Sequence, residues 1–109
     1  MKIEIKIKPS TLQKVNIIVS QFEFDRTKQG KIEHSIAQNT ALKLARKQFT
    51  LLGKDKSKKY KITLEYFEAE LLERKIRFKS NLNYESLLIN QQEFYSLIAF
   101  CNDLHQKLA

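Results

Sequence analysis

The chain has 109 residues, 42% of them hydrophobic, and a formal net charge of +8. This length predicts a single domain over residues 1–109, and the hydrophobic share excludes a disordered chain. No apolar run approaches the roughly 20 residues of a membrane-spanning helix, and the lysines near the start argue against a secretory leader. The composition therefore predicts a cytoplasmic protein with no membrane partner.

The first element is predicted to be a strand. Ile3, Ile5 and Ile7 alternate with charged residues over 2–8, which is the period of a half-buried strand, and Pro9 ends the pattern. The polar side of this strand carries three lysines: Lys2, Lys6 and Lys8.

A helix over about 11–22 is expected next. Ser10 and Gln13 have the spacing of a capping box, and apolar residues then recur on one helical face: Leu12, Val15, Val19 and Phe22. The β-branched residues of 15–19 leave a strand running into Phe24 as the alternative.

The middle of the chain predicts a turn and a second helix. Residues 26–31 are polar and contain Gly30, which favours a turn, while 32–36 show no clear preference. Good helix formers fill 39–48, and Gly53 ends the element. The face expected to be apolar holds Leu42, Ala45, Phe49 and Leu52.

Strand and helix patterns compete over 60–79. Tyr60, Ile62 and Leu64 alternate with polar residues, which predicts a strand, whereas the following FEAELLERK has helical composition with Glu–Arg pairs four residues apart. Residues 74–79 alternate again and are expected to be extended.

The last element is predicted most clearly. Residues 84–89 look extended, Asn90 with Glu93 has capping-box spacing, and 91–107 is an amphipathic helix with one apolar stripe of Phe94, Leu97, Ile98, Cys101, Leu104 and Leu108. The whole pattern predicts an α+β fold, in which a small antiparallel sheet packs against two or three helices. An all-α bundle is the alternative if 60–79 is one long helix.

The residues that carry common enzyme chemistry are sparse. The two glycines are isolated, which excludes a phosphate-binding loop, and His34 and His105 have no cysteine or acidic residue at ligand spacing. Cys101 lies on the apolar stripe, where a buried thiol is expected. Each residue of the acidic cluster Glu65, Glu68, Glu70 and Glu73 has a basic neighbour, which favours ion pairing over acid–base work. We expect no catalytic site, no metal and no cofactor.

The charge excess lies in two short windows. Residues 54–61 read KDKSKKYK and 74–79 read RKIRFK, and each has a net charge of +4. Clustered cations favour a polyanion. The predicted nucleic-acid-binding residues are Lys54, Lys56, Lys58, Lys59, Tyr60, Lys61, Arg74, Lys75, Arg77 and Lys79.

Two aromatic residues lie inside these windows. Tyr60 is a candidate for stacking on an unpaired base between phosphate-binding lysines, while Phe78 is expected to face inward. If 74–79 is extended, Lys75, Arg77 and Lys79 share one face, and pairing with the first strand would make a continuous positive sheet face.

Two segments resemble parts of nucleic-acid-binding families, although neither resemblance assigns the chain to a family. The opening strand and helix resemble the start of a ribbon-helix-helix DNA-binding protein, although about fifteen residues separate this helix from the next where that family has a short turn. The ending YESLLINQQEFYSLIAF is similar in pattern to the strand-then-helix end of Whirly-like single-strand binders.

These observations lead to two functional hypotheses. The first is a non-enzymatic protein that binds DNA or RNA through phosphate contacts. The second is a protein-interaction module, in which the last helix or an open sheet edge docks a protein partner or a second copy of the chain and the lysines provide solubility.

Overall fold

The computed structural model describes residues 2–83 and 91–109, with side chains described for 2–78 and 95–109. A strand–helix–helix order occurs twice: β1 (Lys2–Ile7), α1 (Pro9–Ser20), α2 (Lys28–Thr50), β2 (Tyr60–Glu65), α3 (Tyr66–Asn83) and α4 (Gln91–Leu108). The predicted α+β class is confirmed, and the all-α alternative is wrong because 60–65 is a strand. The extended segment predicted at 84–89 and the Asn90 cap lie outside the described residues.

The two strands form an antiparallel sheet whose inner face is apolar. Ile5 lies opposite Ile62 and Ile3 opposite Leu64. These residues are buried, while the alternate residues of β1 face solvent, as the period of two predicts. Helices α1, α3 and α4 share one hydrophobic cluster with the inner face. Each fully buried aliphatic side chain stabilises this arrangement by about 1.5–3 kcal/mol.

Helix α1 confirms the predicted helix but not its predicted start. Lys8 is the N-cap residue, Pro9 occupies the first turn, and no side chain caps the helix. The capping box predicted for Ser10 and Gln13 is therefore wrong, because the fixed φ of proline suits the first helical position and moves the start two residues earlier. The alternative strand into Phe24 is also wrong.

Helix α2 begins well before the predicted position. Thr27 is the N-cap residue, and its Oγ1 accepts a hydrogen bond from the Gly30 N–H at 3.1 Å. The helix therefore starts at Lys28, and the turn predicted over 26–31 is wrong beyond residue 27. Gly30 is buried in the first turn, where an added Cβ would overlap the backbone and side-chain oxygens of Asp25. Glycine is thus needed there for close packing.

The buried face of α2 is not the face that its sequence suggested. Ala37, Thr40 and Leu44 are buried against the rest of the fold. The residues expected to form the apolar face instead point to solvent, with Leu42 57% exposed, Phe49 76% and Leu52 69%. Both faces have helical spacing, so the packing of α2 on α1 and α3 decides which is buried. The helix ends at Thr50 with Leu51 as its C-cap, so the predicted end at Gly53 lies slightly too late, and Gly53, at φ 81°, belongs to the turn that follows.

Strand β2 leads directly into α3 through a carboxylate cap. Glu68 Oε1 accepts a hydrogen bond from the Glu65 N–H at 2.9 Å, which is the reciprocal half of a capping box. Residues 74–79 continue this helix, so their predicted extended conformation is wrong. The two expected i, i+4 pairs form, with Arg74 Nε 3.0 Å from Glu70 Oε1 and Arg77 Nε 2.9 Å from Glu73 Oε1.

Helix α4 confirms the predicted amphipathic helix. Leu97, Cys101 and Leu104 of the expected stripe are buried, and Phe100 beside them is only 4% exposed although the stripe did not include it. The side chain of Phe94 lies outside the described residues. Burial raises the pKa of the Cys101 thiol to about 12, which keeps the thiol protonated and unreactive.

Candidate nucleic-acid interface

The first basic window forms a structured loop between α2 and β2. Lys54, Lys56 and Lys58 are exposed, as is Lys59 just before the strand. The Asp55 carboxylate accepts hydrogen bonds from the Ser57 hydroxyl at 2.7 Å and the Ser57 N–H at 2.9 Å. These two bonds lower the pKa of Asp55. The single acidic residue of the loop therefore shapes the loop, and the lysines project around it.

Tyr60 has a structural part in this loop. Its ring is partly buried and packs against the hydrophobic core, and its hydroxyl donates a hydrogen bond to the Asp55 carbonyl oxygen at 3.0 Å. The core contact and this hydrogen bond fix the position of the ring, and stacking on an unpaired base stays a prediction for its exposed part. The inward expectation for Phe78 is wrong, since this residue is 62% exposed on α3.

The cations of the second window are engaged within the fold. Arg74 contacts both Glu33 and Glu70, and Arg77 contacts Glu73 and the Asn102 side chain. Lys75 Nζ donates to the Glu23 carbonyl oxygen at 3.2 Å and lies 4.7 Å from the centre of the Phe24 ring. The Lys79 side chain lies outside the described residues. The helix also separates Arg77 from the face shared by residues 75 and 79, so the predicted row of cations does not form.

The two windows lie at opposite ends of α2. Arg74 contacts Glu33 near the start of this helix, whereas the first window follows Leu51 at its end. The intervening helix rises about 27 Å, at 1.5 Å for each residue. The single patch that would combine both windows, and the continuous sheet face that would include 74–79, are therefore wrong.

The structure instead groups lysines on the outer face of the sheet. Lys6 of β1 lies directly opposite Lys61 of β2 in the antiparallel register. A groove of about 340 Å³ is lined by Lys6, Lys59, Lys61 and Lys107, and an adjoining hollow adds Lys8. We call Lys6, Lys8, Lys59, Lys61 and Lys107 the lysine cluster.

Two acidic side chains border the lysine cluster. Glu4 and Asp103 line the same groove, and Glu4 Oε1 lies 3.7 Å from Lys61 Nζ. Both members of that pair are about 60% exposed, at 63% and 59%, so the contact is weak and screened by water. Among the described side chains, five lysines and two carboxylates line the groove and the adjoining hollow together, which leaves this surface with a net positive charge.

Only part of the lysine cluster was foreseen. Lys59 and Lys61 belong to the predicted site, and Lys6 and Lys8 were recognised as one side of β1. Lys107, in the last turn of α4, was not among the predicted binding residues. The sequence carries no signal for its position beside the sheet, because the contact between α4 and β1 joins elements from opposite ends of the sequence.

The described residues also contain acidic side chains and histidines away from the lysine cluster. No three His, Cys, Asp or Glu side chains there form a set that could hold a metal ion. Three residues of the acidic cluster form ion pairs: Glu70 and Glu73 with arginines, and Glu68 with Lys43. His34 stacks against Phe24 with ring centres 5.3 Å apart.

Comparisons of the chain with protein-family models, with curated proteins and with solved structures gave no match. None of the helices in the described part of the chain combines the length and the apolar character needed to cross a bilayer.

Proposed function

We propose that this protein binds DNA or RNA without catalysing a reaction, through phosphate contacts made by the lysine cluster and the exposed lysines of the loop. The observation that carries the proposal is the direct opposition of Lys6 and Lys61 on the outer sheet face. Facing residues of an antiparallel pair have Cβ atoms about 4.5–5.5 Å apart, where like charges repel. A phosphate placed between the two side chains turns this repulsion into attraction.

The loop supports the same proposal. Its lysines are exposed, and the hydrogen bonds from Ser57 and Tyr60 around Asp55 fix its conformation. A fixed loop loses less conformational entropy when it binds a phosphate backbone. Contacts to the phosphate backbone do not distinguish one base from another, so the expected ligand is nucleic acid of any sequence. We propose the cytoplasm as the location, where a lone unpaired cysteine such as Cys101 is usual.

The proposal is tested by anisotropy titration of labelled duplex DNA, single-stranded DNA and RNA at several salt concentrations. If all five lysines of the cluster contact phosphates, they alone should give a slope of log affinity against log salt of about −4.5 for a duplex and about −3.5 for a single strand, and contacts from the loop lysines should make the slope steeper. The double variant Lys6→Gln/Lys59→Gln should reduce the duplex slope by about 1.8.

The matched control is Lys28→Gln/Lys31→Gln. It removes the same charge from exposed lysines at the start of α2, away from the cluster. We expect this control to keep the wild-type slope. No binding of any of the three probes at low salt, or equal losses in both double variants, would remove the proposal.

A protein-interaction module is the second candidate function. The observation in its favour is the exposed apolar stripe of Leu42, Phe49 and Leu52 on α2 and its following turn. Large exposed apolar patches mark binding surfaces. Light scattering after size exclusion separates the outcomes: Phe49→Ser/Leu52→Ser should convert a dimer to a monomer if the stripe joins two copies.

A further inference from the structure

The outer edge of β2 lies along an open groove. The other strand edge, that of β1, is approached by α4, whose Ser96, Ala99 and Phe100 line a hollow with the end of β1. On the β2 side, a groove of about 630 Å³ is lined by four consecutive strand residues, 61–64, and by α2 residues on the facing wall. The side chains of these four residues alternate between the two faces of the sheet, which indicates that the backbone edge of β2 borders the groove.

The hydrogen bonds of Glu65 identify which backbone groups point into this groove. Glu65 donates its N–H to the Glu68 carboxylate at 2.9 Å, so that group points away from β1. In an antiparallel ladder the residues alternate between groups facing the partner strand and groups facing away. Lys61 and Thr63 therefore direct their N–H and C=O groups into the groove. Outside the helices and the ladder, no backbone hydrogen bond found among the described residues uses these groups.

The walls of the groove are cationic and partly apolar. Lys43, Arg46 and Lys47 line it from α2 and Lys61 from β2, and none of the described side chains that line it is acidic. Leu42 lines the same wall and is 57% exposed. Glu68 engages Lys43, which leaves the charge of Arg46 and Lys47 on α2 to attract a ligand.

We propose that this groove binds an extended acidic segment of a partner protein, which adds to β2 as a third strand. The segment would take its main-chain hydrogen bonds from Lys61 and Thr63, in the manner of β-strand addition. Carboxylates on one side of it would meet the α2 cations, and an apolar side chain would contact Leu42. Of the residues that line this groove only Lys61 also belongs to the lysine cluster, and the addition of a strand to β2 extends beyond the proposed nucleic-acid function.

Charge selects this occupant over a second copy of the chain. Two copies paired through β2 would bring Lys61 and the α2 cations of one copy towards those of the other, in a protein of net charge +8. A nucleic acid would satisfy the cations, but it lacks the alternating N–H and C=O groups that match a strand edge.

The probe for the experiment is a fluorescein-labelled octapeptide of alternating Glu and Val. Its matched control is the same peptide with N-methyl groups on alternate backbone nitrogens, which keeps charge and composition but removes donors. We expect the wild-type protein to bind the first peptide at least about tenfold more tightly than the second. Equal binding of the two peptides would overturn the proposal, because charge alone would then explain the contact.

Variants test the protein side of the groove. Arg46→Gln/Lys47→Gln should weaken peptide binding by about tenfold, while Lys28→Gln/Lys31→Gln should leave it unchanged. Thr63→Pro removes one N–H from the open edge and should abolish binding, provided that its circular dichroism spectrum matches the wild type. Equal effects of the two double variants would contradict the proposal.

Hydrogen exchange gives a readout that needs no variant. The amide protons of Lys61 and Thr63 should exchange at least about tenfold more slowly when the peptide is bound. Unchanged exchange at both positions would exclude strand addition. A competition experiment adds single-stranded DNA to the peptide complexes of the wild type and of Lys6→Gln/Lys59→Gln. If the DNA displaces the peptide equally well from both proteins, the groove binds nucleic acid and the proposal is overturned. Loss of DNA binding with retained peptide binding would reject only the nucleic-acid function.

Discussion

Glu68 holds three parts of the fold together through one carboxylate. Its side chain is almost fully buried and accepts hydrogen bonds from Lys43 Nζ at 2.5 Å and from the Glu65 N–H at 2.9 Å. Thr40 Oγ1 lies 3.1 Å from the second carboxylate oxygen. Burial by itself raises the pKa of Glu68, but these hydrogen bonds and the Lys43 charge outweigh it and lower the pKa.

Replacement of this carboxylate should destabilise the protein measurably. Glu68→Gln is expected to reduce the free energy of unfolding by about 1–3 kcal/mol, because the amide leaves Lys43 and the cap of α3 poorly partnered. Since the folded-state pKa lies below the unfolded value, the contribution is complete above the unfolded pKa and is lost as pH falls through the folded pKa. Urea unfolding of wild type and variant from pH 7 down into the acid range measures both effects.

The control for this prediction is Glu4→Gln. Glu4 forms only the weak, exposed contact with Lys61, so its replacement should change stability by less than about 0.5 kcal/mol. A Glu68→Gln variant as stable as Glu4→Gln would show that the buried carboxylate contributes nothing. A stability gap between Glu68→Gln and wild type that widens in acid would contradict the lowered pKa of Glu68.

Gly30 provides a second test at the residue scale. Gly30→Ala should destabilise the protein by about 1–3 kcal/mol, because the new methyl group would overlap Asp25 at the start of α2. Alanine normally stabilises a helix relative to glycine, so the sign of the effect is diagnostic. Thermal unfolding measures it, and Gln29→Ala, at an exposed position of the same turn, is the control. A Gly30→Ala variant of higher Tm would contradict this close packing.

At the scale of elements, the buried thiol of Cys101 reports on the docking of α4. Cys101 lies on the buried face of α4, and burial raises the pKa of its thiol to about 12, which leaves almost no thiolate at neutral pH. A thiol reagent should therefore label the folded protein at least about a hundredfold more slowly than the urea-unfolded chain. Rapid labelling in native buffer would mean that α4 opens readily from the core.

Helix α2 illustrates how an element can carry two apolar faces. Leu44 packs inward, while Leu42 and Phe49 face solvent. The inner face meets α1 and α3, and the outer face contributes to the groove beside β2. The face that seemed most suitable for burial is thus available for a partner, which is consistent with a role in protein interaction.

At the scale of the whole molecule, the lysines that would attract an anionic ligand also repel one another and so reduce the stability of the fold. Lys6→Glu would place opposite charges across the sheet and should raise the free energy of unfolding by about 0.2–1 kcal/mol. The gain should shrink as salt is raised towards 1 M, where the screening length is about 3 Å. The same variant should bind nucleic acid more weakly. Thermal unfolding at low and high salt measures the first effect, and a gain that is independent of salt would exclude charge repulsion as its cause.

Local patterns in the sequence determined most of the elements. The alternation of Ile3, Ile5 and Ile7 predicted β1, and the stripe through Leu97 and Leu104 predicted α4, because side-chain periods of two and about 3.6 follow from backbone geometry alone. The pattern failed at 74–79, where alternating charges suggested a strand. There the preceding helix continues, and its ion pairs with Glu70 and Glu73 stabilise it.

Tertiary structure alone decided the arrangement of the surface. The sequence showed where cations are dense but not that Arg74 is paired with Glu33 from another helix, nor that Lys6 lies opposite Lys61. Both contacts join residues far apart in the chain, and their formation depends on how the strands pair and the helices pack. The side-chain period determined the buried residues of β1 and α4, whereas long-range packing determined the buried face of α2 and which charges stay free to bind a ligand.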